Sequence, residues 1–283
     1  MSTPLLSATH LVKEFPVAGT GGLLRSPDTF RAVDDVSFEI NAGDTLALVG
    51  ESGSGKSTTA RLAARLLDVT SGTVELDGED VTRLGRADLR RFRSDVQVVF
   101  QDPYSSLNPR HTVERIVTAP LLYQGRTVPG GPRAFTRALM ERVGLDPDHS
   151  QKYPAQFSGG QAQRIGIARA LAVGPRVVVC DEAVSALDVS VQAQVINLLR
   201  DLQREEGLTY LFIAHDLAVV RQIATRVAVM TQGRIVEEGT RDAVFDAPRH
   251  EYTRKLLDAV PRIRPEWEAE RRRNAALASG TTA

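Results

Sequence analysis

The chain has 283 residues, 42% hydrophobic and 25% charged, ordinary proportions for a globular protein able to bury one large core or two modest ones. Lys+Arg and Asp+Glu each number 35, so the net charge is zero, which excludes a global field for nucleic acid while leaving a local basic patch open. The single cysteine excludes an intrachain disulfide and an all-cysteine metal site, and points to a reducing, intracellular compartment. No uncharged apolar run approaches the roughly 18 residues of a membrane span. Met1-Ser2-Thr3-Pro4 does not read as the start of a signal peptide, so action at a membrane would go through a partner.

Residues 5–40 are expected to form strands, with partial alternation and β-branched residues at 11–15 and 33–40, separated by a glycine-rich insertion over 17–28. Asn41-Ala42-Gly43-Asp44 turns the chain into Thr45-Leu46-Ala47-Leu48-Val49, a short apolar run suited to a buried strand. Next comes Gly50-Glu51-Ser52-Gly53-Ser54-Gly55-Lys56-Ser57-Thr58, which fits G-x-x-x-x-G-K-[ST]. Ala60, Ala63, Leu66 and Leu67 follow at helical spacing. Strand, glycine loop and helix are the context this motif requires. The glycines let the backbone approach closely and aim successive N–H groups at phosphate oxygens, at the positive end of the helix. Lys56 is suited to neutralise β- and γ-phosphates, and the Ser57 hydroxyl to ligate Mg²⁺.

A short strand is expected over 72–78, then an arginine-rich helix over 83–93 whose charges, interrupted by Asp88 and followed by Asp95, read as a solvated face. Val96, Val98, Val99 and Phe100 form a strand ending at Gln101, followed by a long loop over 102–110. The region 112–145 reads as mostly helical with a break at 125–132, and 102–170 as a helical subdomain inserted into the nucleotide core. Phe157-Ser158-Gly159-Gly160-Gln161 opens a helix through Ile165, Ala168, Leu171 and Ala172, with Ser158 as a cap.

Val177-Val178-Val179-Cys180-Asp181-Glu182 is a continuous apolar run closing in two carboxylates, the pattern of a parallel strand buried on both faces with function at its carboxyl end. Asp181 can hold Mg²⁺ directly or through water, and Glu182 can polarise an attacking water as general base. Cys180 reads as core packing. A second buried strand over 208–214 ends at His215-Asp216, so His215, like Gln101 and Asp181, sits at a strand end. Strands near 227–230 and 234–236 follow, then helical segments broken at Pro248 and Pro261, and a tail from Glu266 of mixed charge and small residues.

With these residues in order, the chain resembles an ATP-binding subunit of an ABC transporter. The phosphate loop at 50–58, Gln101 as the Q-loop, Ser158-Gly159-Gly160-Gln161 as the signature, 177–182 as Walker B, Ser185-Ala186-Leu187-Asp188 as the D-loop and His215 as the switch histidine follow the family's order. A narrower resemblance, to the oligopeptide/dipeptide (and related nickel) importer ATPases of the F type, rests on 100–110, on Phe157-Ser158-Gly159-Gly160-Gln161, on 185–190 and on Tyr252-Thr253-Arg254. Ala183 departs from the proline usual after the Walker B glutamate, and the tail lacks the cysteines that often hold an iron–sulfur cluster, so none is expected.

The resemblance implies an α/β P-loop NTPase fold: a RecA-like core with an antiparallel β subdomain and an inserted helical subdomain. It sets the ATPase domain at 1–245 and a family-type extension at 246–283. It implies ATP and Mg²⁺ as cofactors, with Ser57, Gln101 and Asp181 around the metal and Glu182, His215 and Gln101 as catalytic groups. ATP would lie between two cassettes, held by 50–58 of one and by Ser158, Gly159, Gly160, Gln161 and Asp188 of the other. Phe15 is the candidate to stack on adenine, with Phe30 as competitor. The implied partners are a second, paralogous D-type ATPase subunit, two transmembrane permease subunits and, indirectly, an extracytoplasmic binding protein, at the cytoplasmic face of the membrane. A soluble ABC ATPase of DNA repair or translation is the alternative, and a nickel or other small-solute importer another. One copy of each motif and no extended heptad run count against the soluble kind.

Overall fold

The computed structural model describes residues 3–17 and 28–259. The insertion expected over 17–28 and the break at Pro261 with the tail beyond it therefore lie outside the described residues, apart from Val17 and Asp28, whose backbones meet at 2.7 Å.

Two sheets organise the chain. The first is antiparallel, built from β1 (Leu6–Pro16), β2 (Thr29–Ile40), β4 (Ser71–Leu76) and β5 (Glu79–Asp80) in the order β2-β1-β4-β5. The second has six strands in the order β10-β9-β3-β8-β7-β6, from β3 (Thr45–Val49), β6 (Val96–Phe100), β7 (Val177–Asp181), β8 (Thr209–Ile213), β9 (Arg226–Thr231) and β10 (Arg234–Thr240). Its pairings are parallel except at the β10–β9 edge. The helices are α1 (Lys56–Ala63), α2 (Arg86–Asp95), α3 (Pro103–Ser106), α4 (Val113–Tyr123), α5 (Pro132–Arg142), α6 (Gly159–Leu171), α7 (Val189–Glu206), α8 (Leu217–Ile223), α9 (Arg241–Asp246) and α10 (Glu251–Asp258).

The continuous apolar runs have a simple cause. Successive strand residues face opposite ways, and here both faces are covered. Leu46, Leu48, Val177, Val179, Leu211 and Ile213 join one core with α1 and the antiparallel sheet. Ala47, Val49, Val178, Cys180, Tyr210 and Phe212 join the other, with α4 to α9. Each fully buried aliphatic side chain contributes about 1.5–3 kcal/mol, so neither face can carry polar residues without loss. Burial also pushes the Cys180 thiol up to about 12, as suits an inert core residue.

Two elements differ from the sequence reading. The stretch 102–110 is not loop throughout: the Asp102 carboxylate accepts from Tyr104 N–H at 2.9 Å, and Pro103 pre-sets the first turn of the four-residue α3. β1 begins at Leu6, within the region 5–40 expected to form strands, and bulges between Ala8 and Leu11, with His10 at φ 50°, interrupt its alternation ahead of 11–15. The arginine-rich helix starts at Arg86 rather than 83 and runs through Asp95 directly into β6.

Candidate functional site

Parallel register brings the motifs together. Phe100 pairs with Asp181, Asp181 with Ile213, and Leu48 with Ile213, so the carboxyl ends of β6, β7, β8 and β3 lie side by side. The residues that leave those ends are Gln101, Glu182, Ala214-His215 and the loop beginning at Gly50. Four segments far apart in sequence thus share one edge of the sheet, where open α/β sheets bind ligands.

The loop is shaped by its glycines. A Cβ on Gly50 would lie 2.0 Å from the Met230 carbonyl oxygen, and one on Gly55 would lie 2.5 Å from that of Ala32, with Gly55 at φ 103°. Gly53 needs only its φ of 79°, having open space around it. Gly233 N–H donates to Ser54 O at 3.0 Å and buttresses the loop. Gly55→Ala is expected to lower unfolding free energy by about 3 kcal/mol, the sum of left-handed strain and overpacking; urea denaturation measures this, and unaltered stability would refute the packing account.

Lys56, only 4% exposed, begins α1 and folds back over the loop, donating to Gly50 O at 2.9 Å, Glu51 O at 2.7 Å and Ser54 Oγ. Burial lowers its pKa, and the carboxylates of Glu182, Asp181 and Glu51 pull the other way. Its ammonium is thus held among acceptors and facing acids, a charge set ready for an anionic ligand. Ser57 and Thr58 are half-buried beside it, and Glu51, Ser52 and Gly53 are exposed.

Asp181 gives the clearest indication of a metal. Its side chain is 6% exposed; Oδ2 lies 3.3 Å from an Arg61 nitrogen, while Oδ1 is buried with no hydrogen-bond partner among the described residues. A buried carboxylate oxygen left unpaired is costly. A cation held by Asp181 and the Ser57 hydroxyl would satisfy it, so these residues fit Mg²⁺, a hard ion bound by few carboxylates plus substrate oxygens.

Glu182 is half-buried with φ 53°, in the left-handed region a glutamate rarely occupies. It is held there by its N–H donating to Ile213 O at 3.2 Å and by its carbonyl accepting from Ser185 N–H at 3.1 Å and Ser185 Oγ at 2.9 Å. His215 is exposed and lines one small crevice with Glu182, Ser185 and Gln192. Gln101 is exposed at its strand end.

Ser158 caps α6 and does so reciprocally. Gln161 N–H donates to Ser158 Oγ at 3.4 Å, and Ser158 N–H to Gln161 Oε1 at 3.0 Å, a capping box that the S-x-x-Q spacing carried but the sequence reading took only halfway. Among the described residues, the hydrogen bonds of Ser158, Gly159, Gly160 and Gln161 stay within this helix start; none reaches the phosphate loop. A Cβ on Gly160 would strike the Val191 side chain at 2.3 Å, whereas one on Gly159 would meet only ordinary contact. Asp188 is exposed at the start of α7 and makes no side-chain cap.

Phe15 and Phe30 occupy one rung of the β1–β2 ladder. Phe15 is half-buried with the Lys13 ammonium 5.2 Å from its ring centre, while Phe30 is 59% exposed. Sequence reasoning missed several supports, whose partners are remote. Gln163, buried, donates to Phe100 O at 3.3 Å; Tyr104 donates to Phe157 O at 2.8 Å; Arg169 donates to Ser106 O. These three bonds tie the segment around Gln101 to the helix that Ser158 opens.

Residues 33–185 match the family model described as ABC transporter, and residues 236–281 match one described as the C-terminal region of oligopeptide/dipeptide transporters. The chain is 52% identical over 270 residues to the glutathione import ATP-binding protein GsiA of Escherichia coli K12, covering 95% of this chain and 43% of that protein. It therefore spans less than half the length of the curated relatives it matches. Among solved structures it resembles the dimeric ATP-binding cassette MJ0796 in a post-hydrolysis state bound to ADP and Pi, with a TM-score of 0.73, 28% identity, and coverage of 83% of this chain and 98% of that one. It also resembles cbiO1 of Clostridium perfringens, part of the transporter complex cbiONQ, with a TM-score of 0.73, 25% identity, and coverage of 92% and 97%. With the glycine loop, the buried Asp181 and the shared strand edge on one α/β frame, and a family model over more than half of its residues, the chain belongs to the ABC transporter family.

Proposed function

We propose that the chain is the ATP-hydrolysing subunit of an importer for oligopeptides or dipeptides. The observation that carries this reading is the convergence of Lys56, Asp181, Glu182, Gln101 and His215 at one strand edge, beside a C-terminal region of the oligopeptide/dipeptide type. GsiA, by its name a glutathione importer, supports a small peptide as cargo.

In this reading the N–H groups of 50–58 and Lys56 bind the phosphates, and Phe15 or its rung partner Phe30 receives the adenine. Ser57, Asp181 and Gln101 would hold Mg²⁺, which neutralises phosphate charge. Glu182 takes the proton of the attacking water, and His215 supports the γ-phosphate edge. Ser158 and the start of α6 serve the nucleotide of a second cassette: their bonds within this chain leave the phosphate loop untouched, and Gly159 has room for an approaching phosphate. MJ0796, a dimer in its ADP-bound structure, supports two chains per site. The second subunit is a paralogue of the D type.

Among the described residues no helix is long and apolar enough to cross a membrane; in this reading coupling runs through permease subunits. A groove lined by Leu66, Val98, Phe100, Pro120, Tyr123 and Arg169 opens next to Gln101, with Tyr123 64% exposed at its rim. It would take a cytoplasmic helix of a permease and place the chain at the inner membrane face. Tyr123→Glu should leave ATP binding intact but abolish co-purification with co-expressed permease subunits; full recovery of the complex would remove the groove as the docking site. Recovery of nucleic acid instead of permeases with the unaltered chain would favour a soluble repair or translation ATPase.

A further inference from the structure

The C-terminal helix α10 touches the nucleotide loop. Glu51 N–H donates to the Tyr252 hydroxyl at 3.1 Å, across 201 positions of sequence. The peptide unit involved joins Gly50 to Glu51, and its other end is also held: the Gly50 carbonyl accepts from Lys56 Nζ at 2.9 Å. One peptide plane is thus clamped at its N–H by a phenol and at its oxygen by the ammonium that the phosphates require. Gly50, at φ 150° and without a Cβ, offers little resistance to rotation of that plane by itself.

Tyr252 is fixed firmly enough to serve as the clamp. The Glu237 carboxylate on β10 accepts from Arg249 N–H at 2.8 Å and His250 N–H at 2.9 Å, anchoring the turn before α10. The His250 side chain caps α10 by accepting from Tyr252 N–H at 3.1 Å. The Tyr252 ring packs with Leu256 and Leu257 on the larger core, and Thr253 is buried.

We propose that Tyr252 is a positioning residue for nucleotide binding: its hydroxyl sets the orientation of the Gly50–Glu51 peptide, and so the resting place of Lys56, making ATP affinity depend on the C-terminal region. The inference rests on the nucleotide-site reading above and assigns α10 a part in it. Tyr252 itself touches no phosphate in this account. The catalytic groups Gln101, Glu182 and His215 follow β6, β7 and β8, on other segments, so the hydroxyl acts on binding and not on turnover at saturation.

The test is Tyr252→Phe in the full chain, which keeps the ring and removes one hydrogen bond. Titration with a fluorescent N-methylanthraniloyl ATP should show a dissociation constant raised about threefold to tenfold, the worth of one such bond. Steady-state hydrolysis should show KM raised by a similar factor with kcat unchanged. Hydrogen exchange of the Glu51 amide in the nucleotide-free chain should become at least about fivefold faster. A variant with native affinity, KM and Glu51 protection overturns the proposal. Equal losses in KM and kcat overturn it too, since general loosening of the fold would produce them. If the unaltered chain bound no ATP, the nucleotide reading would fall, while the amide exchange would still decide whether Tyr252 restrains the loop.

Discussion

Glu182→Gln is expected to abolish ATP turnover, by about 10²–10⁴-fold, while leaving ATP affinity unchanged. The substitution is nearly isosteric and removes only the basic oxygen. The backbone that aims the side chain does not depend on it: Ile213 O and the Ser185 N–H and Oγ hold the left-handed conformation from outside. Loss of rate is therefore loss of proton acceptance and not of placement. With hydrolysis blocked and binding intact, ATP should trap a closed dimer, visible as a shift in size-exclusion chromatography. Unchanged hydrolysis would remove Glu182 as the base.

Lys56→Ala should act on the preceding step. The ammonium is the buried positive charge of the loop, facing Asp181, Glu182 and Glu51. Without it, Glu182 and Glu51 confront the incoming phosphates with no ammonium between, and Asp181 keeps only its Arg61 partner. Charge-assisted hydrogen bonds contribute about 1.5–3 kcal/mol each, so affinity for ATP should fall about 10²-fold. The same change strips the Gly50 and Glu51 carbonyls of their donor, so the loop should also exchange its amides faster. Calorimetric titration checks the first effect, and retention of full ATP binding would contradict the assignment of this loop to phosphate.

Much of this frame is legible in the residues themselves. The runs at 45–49, 177–181 and 209–213 read as strands because burial on both faces keeps them nearly all apolar, with Thr45, Thr209 and Asp181 at their ends. The strand-end positions of Gln101, Asp181 and His215 were likewise visible, since each follows such a run. What was not legible depends on partners that sequence does not announce. The left-handed Glu182 is imposed by Ser185 and by Ile213 of a neighbouring strand, and nothing in a glutamate signals it. α3 hides behind a proline that reads as a break until Asp102 is seen to cap it. Phe15 is the candidate for adenine and Phe30 its competitor, and the register makes them opposite members of one pair, Phe15 with Lys13 over its ring and Phe30 59% exposed. Tyr252 stands out in the sequence only by its likeness to a family, and its bond to Glu51 spans 201 positions.

The division of β3, β7 and β8 between two cores has a mechanical corollary. Alternate side chains of these strands enter opposite cores, so the strands' backbones are material that both sides share. A tilt of the helices on one side would therefore load those backbones, at the ends where Gly50, Glu182 and His215 emerge.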